Sequence, residues 1–534
     1  MKELLINFWR ENKLQLTIYI ILISLAYPID TILIPKVSSE FFQNVKPDST
    51  NEFYKRYLYY AILAFLIIYT SYFIINKLDS ELVPKFEKYV DDSIYTYILN
   101  KNQDDFKNPE IAELLHRMHV IPSAINGVML SLIERVLPQI ITIICIIIYL
   151  FFVNKTLGRI SLTFFVIYGL VMYIFSNNCE FISLKNEMLN EEKQNILTDK
   201  FQNLFSIYSN GKIKDEIIEN EIVTETFKDV TEQNMKCNNK IKTFNLYFSV
   251  FIVLSLIIVA VILYKQNKIT HVVLIAAILI INYLPHNIQS IGYSIPNIIN
   301  NYTVINKNKR FIDDVFNVRP ENEKVLTITD GHISINGITF GYADKENIFN
   351  NFSLDIPAKS TIQILGESGK GKSTLIKLIT GYYKLKGGQI LIDGTDISTV
   401  NLNELRKSIS YISQNNVLFN KSIFENIRYG NNQSKEYITN LINRLNITLF
   451  NNLDLDAQAG IMGDNLSGGQ KQMIHILRAI CKDNKIVIMD EPTSSIDTTN
   501  KEQILNALKE LSKNSTMILI THESLGLTSN SVQI

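Results

Sequence analysis

Six long apolar segments in the first 300 residues set the strongest constraint on how this 534-residue chain can fold. A helix needs about 20 mainly apolar residues to cross the hydrocarbon core of a bilayer, and lipid offers an unpaired backbone no hydrogen-bond partners. The sequence therefore predicts six membrane-spanning helices, at approximately residues 14–34, 57–75, 136–153, 157–176, 244–264 and 270–291.

The overall composition fits a chain that lies partly in lipid. Apolar residues make up 47% of the sequence, and 52 basic side chains balance 52 acidic ones. A chain with no net charge gives no electrostatic argument for binding nucleic acid, so we expect no nucleic-acid partner. The first apolar segment is too long for a signal-peptide core and lacks a small-residue cleavage site, so it is expected to remain as a membrane helix.

The spacing of the six segments predicts where the chain leaves the membrane. Only a few residues separate the third segment from the fourth and the fifth from the sixth. The gaps after the second and fourth segments each run to about 60 residues and contain few glycines or prolines. We therefore expect long helices that project from one side of the membrane across these two connections.

The four cysteines, at positions 145, 179, 237 and 481, are far apart and include no C-x-x-C pair. This spacing indicates neither a disulfide framework nor a zinc site. The expected role of all four is that of a small buried or lipid-facing apolar side chain.

The sequence changes character after about residue 300. Residues 1–310 form the predicted transmembrane domain, residues 311–330 a linker, and residues 331–534 a second domain. In the second domain short β-like runs alternate with helical stretches, which predicts an α/β fold with a mainly parallel central sheet. The β-like runs are residues 332–340, 361–365, 389–392, 408–412, 486–489 and 516–520.

A glycine-rich loop follows the second of these runs, at Gly366–Thr374, and fits the template G-x-x-x-x-G-K-[ST]. Glycines let the backbone curl so that its N–H groups face phosphate oxygens at a helix N-terminus. The predicted nucleotide contacts are Gly366, Gly369, Lys370, Gly371, Lys372, Ser373 and Thr374. Lys372 is expected to reach the β- and γ-phosphates, and the Ser373 hydroxyl to ligate Mg²⁺.

Two acidic residues end the buried run Ile486–Met489. Asp490 is placed to hold Mg²⁺, in part through water, and Glu491 is the candidate base that orients the attacking water. A surface acidic pair that merely ends a strand is the alternative, and the glycine-rich loop upstream argues against it.

Leu466–Gln470 reads Leu-Ser-Gly-Gly-Gln and precedes a helical stretch. Ser467, Gly468 and Gly469 would present a hydroxyl and backbone N–H groups at a positive helix end, although an ordinary helix-capping turn would look similar. Because this segment lies far along the chain from the glycine-rich loop, it indicates a site that a partner subunit completes.

These motifs together resemble the ATP-binding cassette (ABC) superfamily, and within it the exporter-type half-transporters of the type IV fold. The resemblance implies ATP and Mg²⁺ as cofactors. It also implies nucleotide contacts for Gln470 and for Asp497 of the D-loop, γ-phosphate contact for His522, adenine stacking for Tyr342, and Mg²⁺ sensing for Gln414. By the same resemblance residues 102–108 and 203–212 would be coupling helices. Lys370 departs from the family pattern, which has a small residue there, and is expected to point to solvent.

The resemblance implies an ATP-driven exporter that works by alternating access as a dimer. Intact motifs in one chain favour a homodimer over pairing with a paralogous half-transporter. The expected substrate is a small peptide or another amphipathic compound. The alternatives are a lipid or multidrug exporter, an ATP-gated channel or a regulatory membrane protein. Because ATP is cytoplasmic, the second domain and the N-terminus are expected on the cytoplasmic side of a plasma membrane.

Four polar residues interrupt the apolar segments. Asp30 lies in the first, and Asn282, His286 and Gln289 lie at helical spacing in the sixth. Ionisable side chains inside a membrane are functional candidates, so these residues are expected to line a cavity. The alternative is that Asp30 lies at the interface and that the sixth-segment residues bond to neighbouring helices.

Overall fold

The structure is a computed structural model that describes residues 2–44, 51–101, 111–316, 324–342, 346–367, 369–414, 417–451, 453–492, 498–521, 526–528 and 530–534. The chain divides into two compact units. The first comprises Met1–Ile98 and Pro109–Val318, and the second comprises Leu99–Asn108 and Arg319–Ile534. This division falls inside the linker expected at residues 311–330, because the helix that ends at Phe316 belongs to the first unit.

The described residues of the N-terminal part are helical except for short turns and connections. Its helices are α1 (Lys2–Glu11), α2 (Lys13–Pro28), α3 (Ile34–Asn44), α4 (Asn51–Lys101), α5 (Ile111–Leu130), α6 (Leu137–Val153), α7 (Lys155–Gln202), α8 (Leu204–Ser209), α9 (Ile213–Lys265), α10 (His271–Ile281), α11 (Leu284–Lys307) and α12 (Lys309–Phe316). Among the described residues six helical stretches are long and apolar enough to cross a membrane, which confirms the predicted fold class of the first domain. They are Lys13–Phe41, Tyr54–Asn100, Glu113–Val153, Lys155–Gln202, Ile213–Lys265 and His271–Lys307.

These helices are much longer than the apolar segments within them. The fourth stretch has 48 residues and the fifth has 53. At 1.5 Å per residue such helices are roughly 70–80 Å long, so they extend well beyond a hydrocarbon core of about 30 Å. The short helix α8 joins them, and its Phe205 side chain is 85% exposed.

Three of the six stretches are interrupted. The first passes through a π-helical turn at Ile29–Leu33 directly after Pro28, and the third through another at Ser131–Val136. The sixth is not the single helix predicted for residues 270–291, because it breaks at Asn282–Tyr283 between α10 and α11. Proline has no backbone N–H to donate, so Pro285 is well accommodated in the first turn of the new helix.

The structure also corrects the expectation for the cysteines. Cys179 on α7 and Cys237 on α9 form a disulfide, although 58 residues separate them. The two long helices pack side by side, and this places residues that are distant in sequence next to each other. Cys145 and Cys481 are free thiols.

Polar side chains are packed between α7, α9 and α11. The Tyr168 hydroxyl donates to Asn245 Oδ1 at 2.6 Å, and Asn245 Nδ2 donates to the Ile241 carbonyl at 2.7 Å. Gly292 on α11 lies against this amide, because a Cβ there would be 2.5–2.7 Å from three atoms of Asn245. The close approach of α9 and α11 therefore depends on a residue without a side chain.

The second unit contains two sheets. Its strands are β1 (Ile333–Phe340), β2 (Phe349–Ile356), β3 (Thr361–Leu365), β4 (Gly387–Ile392), β5 (Thr395–Asp396), β6 (Ile409–Ile412), β7 (Ile486–Asp490), β8 (Thr516–Ile520) and β9 (Ser531–Gln533). A parallel sheet has the order β6-β7-β8-β3-β9, and an antiparallel sheet has the order β2-β1-β4-β5. The α/β prediction is confirmed, but the sequence did not indicate that some strands belong to a second, antiparallel sheet.

The helices of this unit are α13 (Lys372–Ile379), α14 (Leu402–Lys407), α15 (Ile423–Arg428), α16 (Lys435–Arg444), α17 (Gly468–Lys482) and α18 (Thr498–Ser512). Strands β7 and β8 are buried at every position, as the central strands of a covered parallel sheet must be. Their carboxyl ends, together with that of β3, form the edge where the candidate site lies.

Candidate nucleotide site

The glycine-rich loop connects β3 to α13. Gly369 and Gly371 adopt positive φ angles of 85° and 100°, which L side chains rarely adopt. A Cβ on Gly371 would also lie 2.5 Å from Ile348 Cγ2. The glycines are therefore required for the backbone path that brings the start of α13 to face the loop.

Lys372 is buried to 7% exposure at the first position of α13. Its ammonium donates to the carbonyl of Gly366 at 2.7 Å and to that of Glu367 at 2.9 Å. The charge is thus held in the concave side of the loop, where a phosphate would meet it. Lys370, in contrast, has a side chain that is 60% exposed and lies 4.0 Å from Glu367 Oε2, as expected of a side chain that points to solvent.

Two oxygen groups meet at the start of α13 and the end of β7. Ser373 Oγ donates to Asp490 Oδ2 at 2.9 Å. Burial raises the pKa of the Asp490 carboxyl, and the bond from Ser373 opposes that rise. A hydroxyl and a carboxylate are oxygen ligands of the kind that Mg²⁺ prefers, so the two residues fit the metal.

Glu491 follows directly in the chain, and its carboxylate accepts a hydrogen bond from Gln414 Nε2 at 2.7 Å. Its backbone has a φ of 52°, in the left-handed region, and its N–H donates to the Ile520 carbonyl at 2.9 Å. A non-glycine residue held in this region is strained, and such strain concentrates at functional sites. The two residues assigned to the attacking water and to sensing are therefore in direct contact.

Tyr342 lies beside the same loop. Its hydroxyl is 3.0 Å from Thr374 Oγ1, and its ring packs edge-on against Tyr383 with centroids 5.4 Å apart. Tyr383 was not predicted from the sequence, although the aromatic pair Tyr382-Tyr383 shortly after α13 could have indicated it. Together Tyr342 and Tyr383 offer aromatic faces near the phosphate loop.

The signature segment caps α17. Gln470 N–H donates to Ser467 Oγ at 3.3 Å, and Ser467 N–H donates to Gln470 Oε1 at 2.8 Å, which is a reciprocal capping box. Gln470 Nε2 also donates to the Leu449 carbonyl at 3.1 Å, so this side chain shapes the segment itself. Ser467 and Gly468 are exposed, whereas Gly469 is buried.

The signature and the glycine-rich loop stand apart within one chain. In the ranges given above, no hydrogen bond joins residues 467–470 to residues 366–374. Three expectations fall outside the described residues, namely those for His522, for Asp497 and for a coupling helix at residues 102–108.

Known proteins contain a region similar to the one that carries this site. Residues 349–494 match the family described as ABC transporter. This match covers β3, the glycine-rich loop, the signature segment and the acidic pair at the end of β7.

The cassette region of this chain is similar to the ABC transporter family. ABC transporter B family member 2 of Dictyostelium discoideum is 37% identical over 227 residues, which are 41% of this chain and 16% of that protein. The ATP-dependent lipid A-core flippase of Escherichia coli K12 is 38% identical over 210 residues, 38% of this chain and 36% of the flippase. The matches thus span between about a sixth and somewhat more than a third of these relatives.

The structure of a bacterial Atm1-family ABC exporter with ATP bound shares the fold of this chain. Its TM-score is 0.84 at 20% identity, and the match covers 98% of this chain and 93% of the other. The six apolar helices followed by the cassette are therefore the fold of an exporter half-transporter in an integral membrane protein. The family also implies that the cassette binds ATP.

Proposed function

We propose that this half-transporter hydrolyses ATP and uses the energy to export a small peptide or another amphipathic compound across a plasma membrane. The observation that carries the proposal is the cluster at the carboxyl end of the parallel sheet. There Lys372, the Ser373–Asp490 pair and the Gln414–Glu491 pair meet. Phosphate, metal and water contacts are the three requirements of phosphoryl transfer.

In this proposal each residue has one task. Lys372 binds the β- and γ-phosphates, and Ser373 with Asp490 would hold a Mg²⁺ ion, whose charge would offset that of the phosphates. Glu491 accepts the proton of the attacking water, and Gln414 holds the Glu491 carboxylate in position. Gly366, Gly369, Gly371 and Thr374 supply backbone N–H groups around the phosphates, and Tyr342 stacks on adenine.

The partner is proposed to be a second copy of the same chain. Ser467, Gly468 and Gly469 lie at the N-terminus of α17, where the helix dipole favours an anion, but they make no hydrogen bond to the glycine-rich loop of their own chain in the described ranges. A facing copy would bring its signature to the nucleotide, with Asp497 and His522 completing the site. One chain supplies every part, so a paralogous partner is not required.

The orientation follows from the nucleotide. A cassette that uses cytoplasmic ATP lies in the cytoplasm, and six crossings place the N-terminus there as well. The flippase relative makes a lipid exporter the second candidate, because that protein's name refers to a lipid substrate.

Transport in sealed inside-out vesicles tests the proposal. Vesicles with the wild-type protein are expected to accumulate a labelled amphipathic peptide, or a labelled lipid in the second candidate, above the outside concentration when Mg-ATP is added. Vesicles with Glu491→Gln are the matched control and should not accumulate it. Equilibration without accumulation would contradict a pump and support an ATP-gated channel, because a channel cannot move a compound against its gradient.

A further inference from the structure

Asp30 carries a carboxylate inside the first membrane helix that nothing in the nucleotide site uses. It lies in the π-helical turn at Ile29–Leu33 and is half-buried. Within the described ranges it has neither a hydrogen-bond partner nor a basic side chain at ion-pair distance. Ionisable side chains in membrane helices are expensive and are usually paired, so an unpaired one indicates a function.

Two tyrosines, Tyr72 and Tyr283, lie near this carboxylate, and a third, Tyr27, packs against Tyr72. Tyr27 lies one turn before it, and the Tyr27 and Tyr72 rings pack edge-on with centroids 5.5 Å apart. Tyr72 on α4 and Tyr283 at the break between α10 and α11 are both within electrostatic reach of the Asp30 carboxylate. The cluster therefore draws on three membrane stretches and combines one negative charge with three aromatic rings.

The other carboxyl groups in this region differ from Asp30 because they are satisfied by each other. The Tyr19 hydroxyl donates to Asp79 Oδ1 at 2.7 Å, and the Glu134 carboxyl lies within electrostatic reach of Asp79. Asp79 and Glu134 thus each have an interaction partner, whereas Asp30 has none in the described ranges.

The backbone is irregular on both sides of the cluster. Asp30 occupies a π-helical turn, and Tyr283 occupies the break in the sixth stretch. Irregular backbone at membrane depth is tolerated where it is buried in protein or lines a water-filled cavity, and broken helices often border transport sites. The neighbouring Asn282 and His286 are exposed, whereas Gln289 donates to Ser249 on α9 at 3.4 Å.

We infer that Asp30 with Tyr72 and Tyr283 binds a positively charged group of the transported substrate, which is therefore a lipophilic organic cation. The inference deepens the proposed export function and rests on it. A carboxylate in a half-buried site attracts a cation strongly, and aromatic faces add cation–π attraction while tolerating apolar substituents. The same cluster repels an anion of equal size.

Tetraphenylphosphonium and tetraphenylborate are a matched pair of probes, because they have nearly the same shape and opposite charge. Binding of each is measured by equilibrium dialysis to the full-length protein in lipid nanodiscs without ATP, with empty nanodiscs subtracted. The wild type is expected to bind the phosphonium and not the borate. Asp30→Asn should weaken phosphonium binding about tenfold or more, which corresponds to about 1.4 kcal/mol, and Asp30→Glu should restore most of it.

Asp79→Asn is the control for removing a carboxylate from the same membrane region, and its phosphonium affinity should stay within about threefold of wild type. Equal phosphonium affinity in wild type and Asp30→Asn, equal binding of both probes by the wild type, or an equal loss in Asp79→Asn would each overturn the inference. Because the assay uses no ATP, a protein that binds the cation but fails to pump leaves this site standing and removes the proposed function. A protein that exports peptide but does not bind the cation would refute this site and leave the proposed function standing.

Discussion

Lys372 and Lys370 are two residues apart in one loop and have opposite surroundings. The Lys372 ammonium is buried against two loop carbonyls, whereas the Lys370 side chain is 60% exposed. Among the described residues no carboxylate lies at ion-pair distance from Lys372, so burying its charge is costly, and a bound phosphate would supply a counter-charge. In contrast, an exposed lysine 4.0 Å from Glu367 gains little from any single contact.

This difference predicts the outcome of a paired substitution. Lys372→Ala should raise the dissociation constant for ATP by tenfold or more, because it removes a charge-assisted contact worth about 1.5–3 kcal/mol. Lys370→Ala, which removes the same charge from the same loop, should change it less than about threefold. Fluorescent-nucleotide titration of both variants measures this, and equal losses in the two would refute the assignment of Lys372.

At the scale of single residues, the sequence predicts which residues form the site but not which of them contact each other. The spacing of glycines, lysine and serine placed Lys372 and Ser373 at the start of a helix because the template itself implies that backbone path. It did not reveal that Gln414 contacts Glu491 or that Gln470 is occupied in a capping box. Those contacts depend on where separate segments meet in space, which no local pattern encodes.

The packing of the long helices in the first unit depends on close approach between helices, and not on apolar content alone. Gly292 lets α11 approach Asn245 on α9, and Asn245 is held by its bonds to Tyr168 and to the Ile241 carbonyl. The amide therefore has little freedom to move away from an added methyl group. Gly169 on α7, in contrast, has open space where a Cβ would lie.

Two alanine substitutions should consequently have opposite effects on stability. Gly292→Ala should destabilise the protein by about 1–3 kcal/mol through overpacking. Gly169→Ala should be neutral or stabilising by up to about 1 kcal/mol, because alanine is the better helix former. Thermal unfolding of both variants in detergent checks this, and a Gly292→Ala protein at least as stable as Gly169→Ala would contradict the packing described for α9 and α11.

Element positions were predicted more accurately than their interruptions and partners. Strands β3 and β8 begin and end where the apolar runs do, since a short apolar run bounded by turns leaves little choice. The break at Asn282–Tyr283, the antiparallel sheet and the Cys179–Cys237 disulfide were all missed. Each depends on tertiary packing, which an apolar pattern does not specify.

At the scale of the whole molecule, one chain carries a membrane unit and a cassette, and we infer that two chains share two nucleotides. The inference follows from motifs that are all present but not all in contact within one copy. The candidate base is a single residue, Glu491, and its replacement should leave nucleotide binding intact. The amide of glutamine has nearly the size of the carboxylate and lacks its basicity.

The measurement that tests this most directly is ATP hydrolysis by the purified protein in lipid vesicles, wild type against Glu491→Gln, with ATP binding and subunit mass measured in parallel. We predict that the wild type hydrolyses Mg-ATP and that the rate falls at least 100-fold in Glu491→Gln. The variant should still bind ATP and accumulate as a dimer with trapped nucleotide. A correctly folded wild type that hydrolyses ATP no faster than this variant would contradict the account.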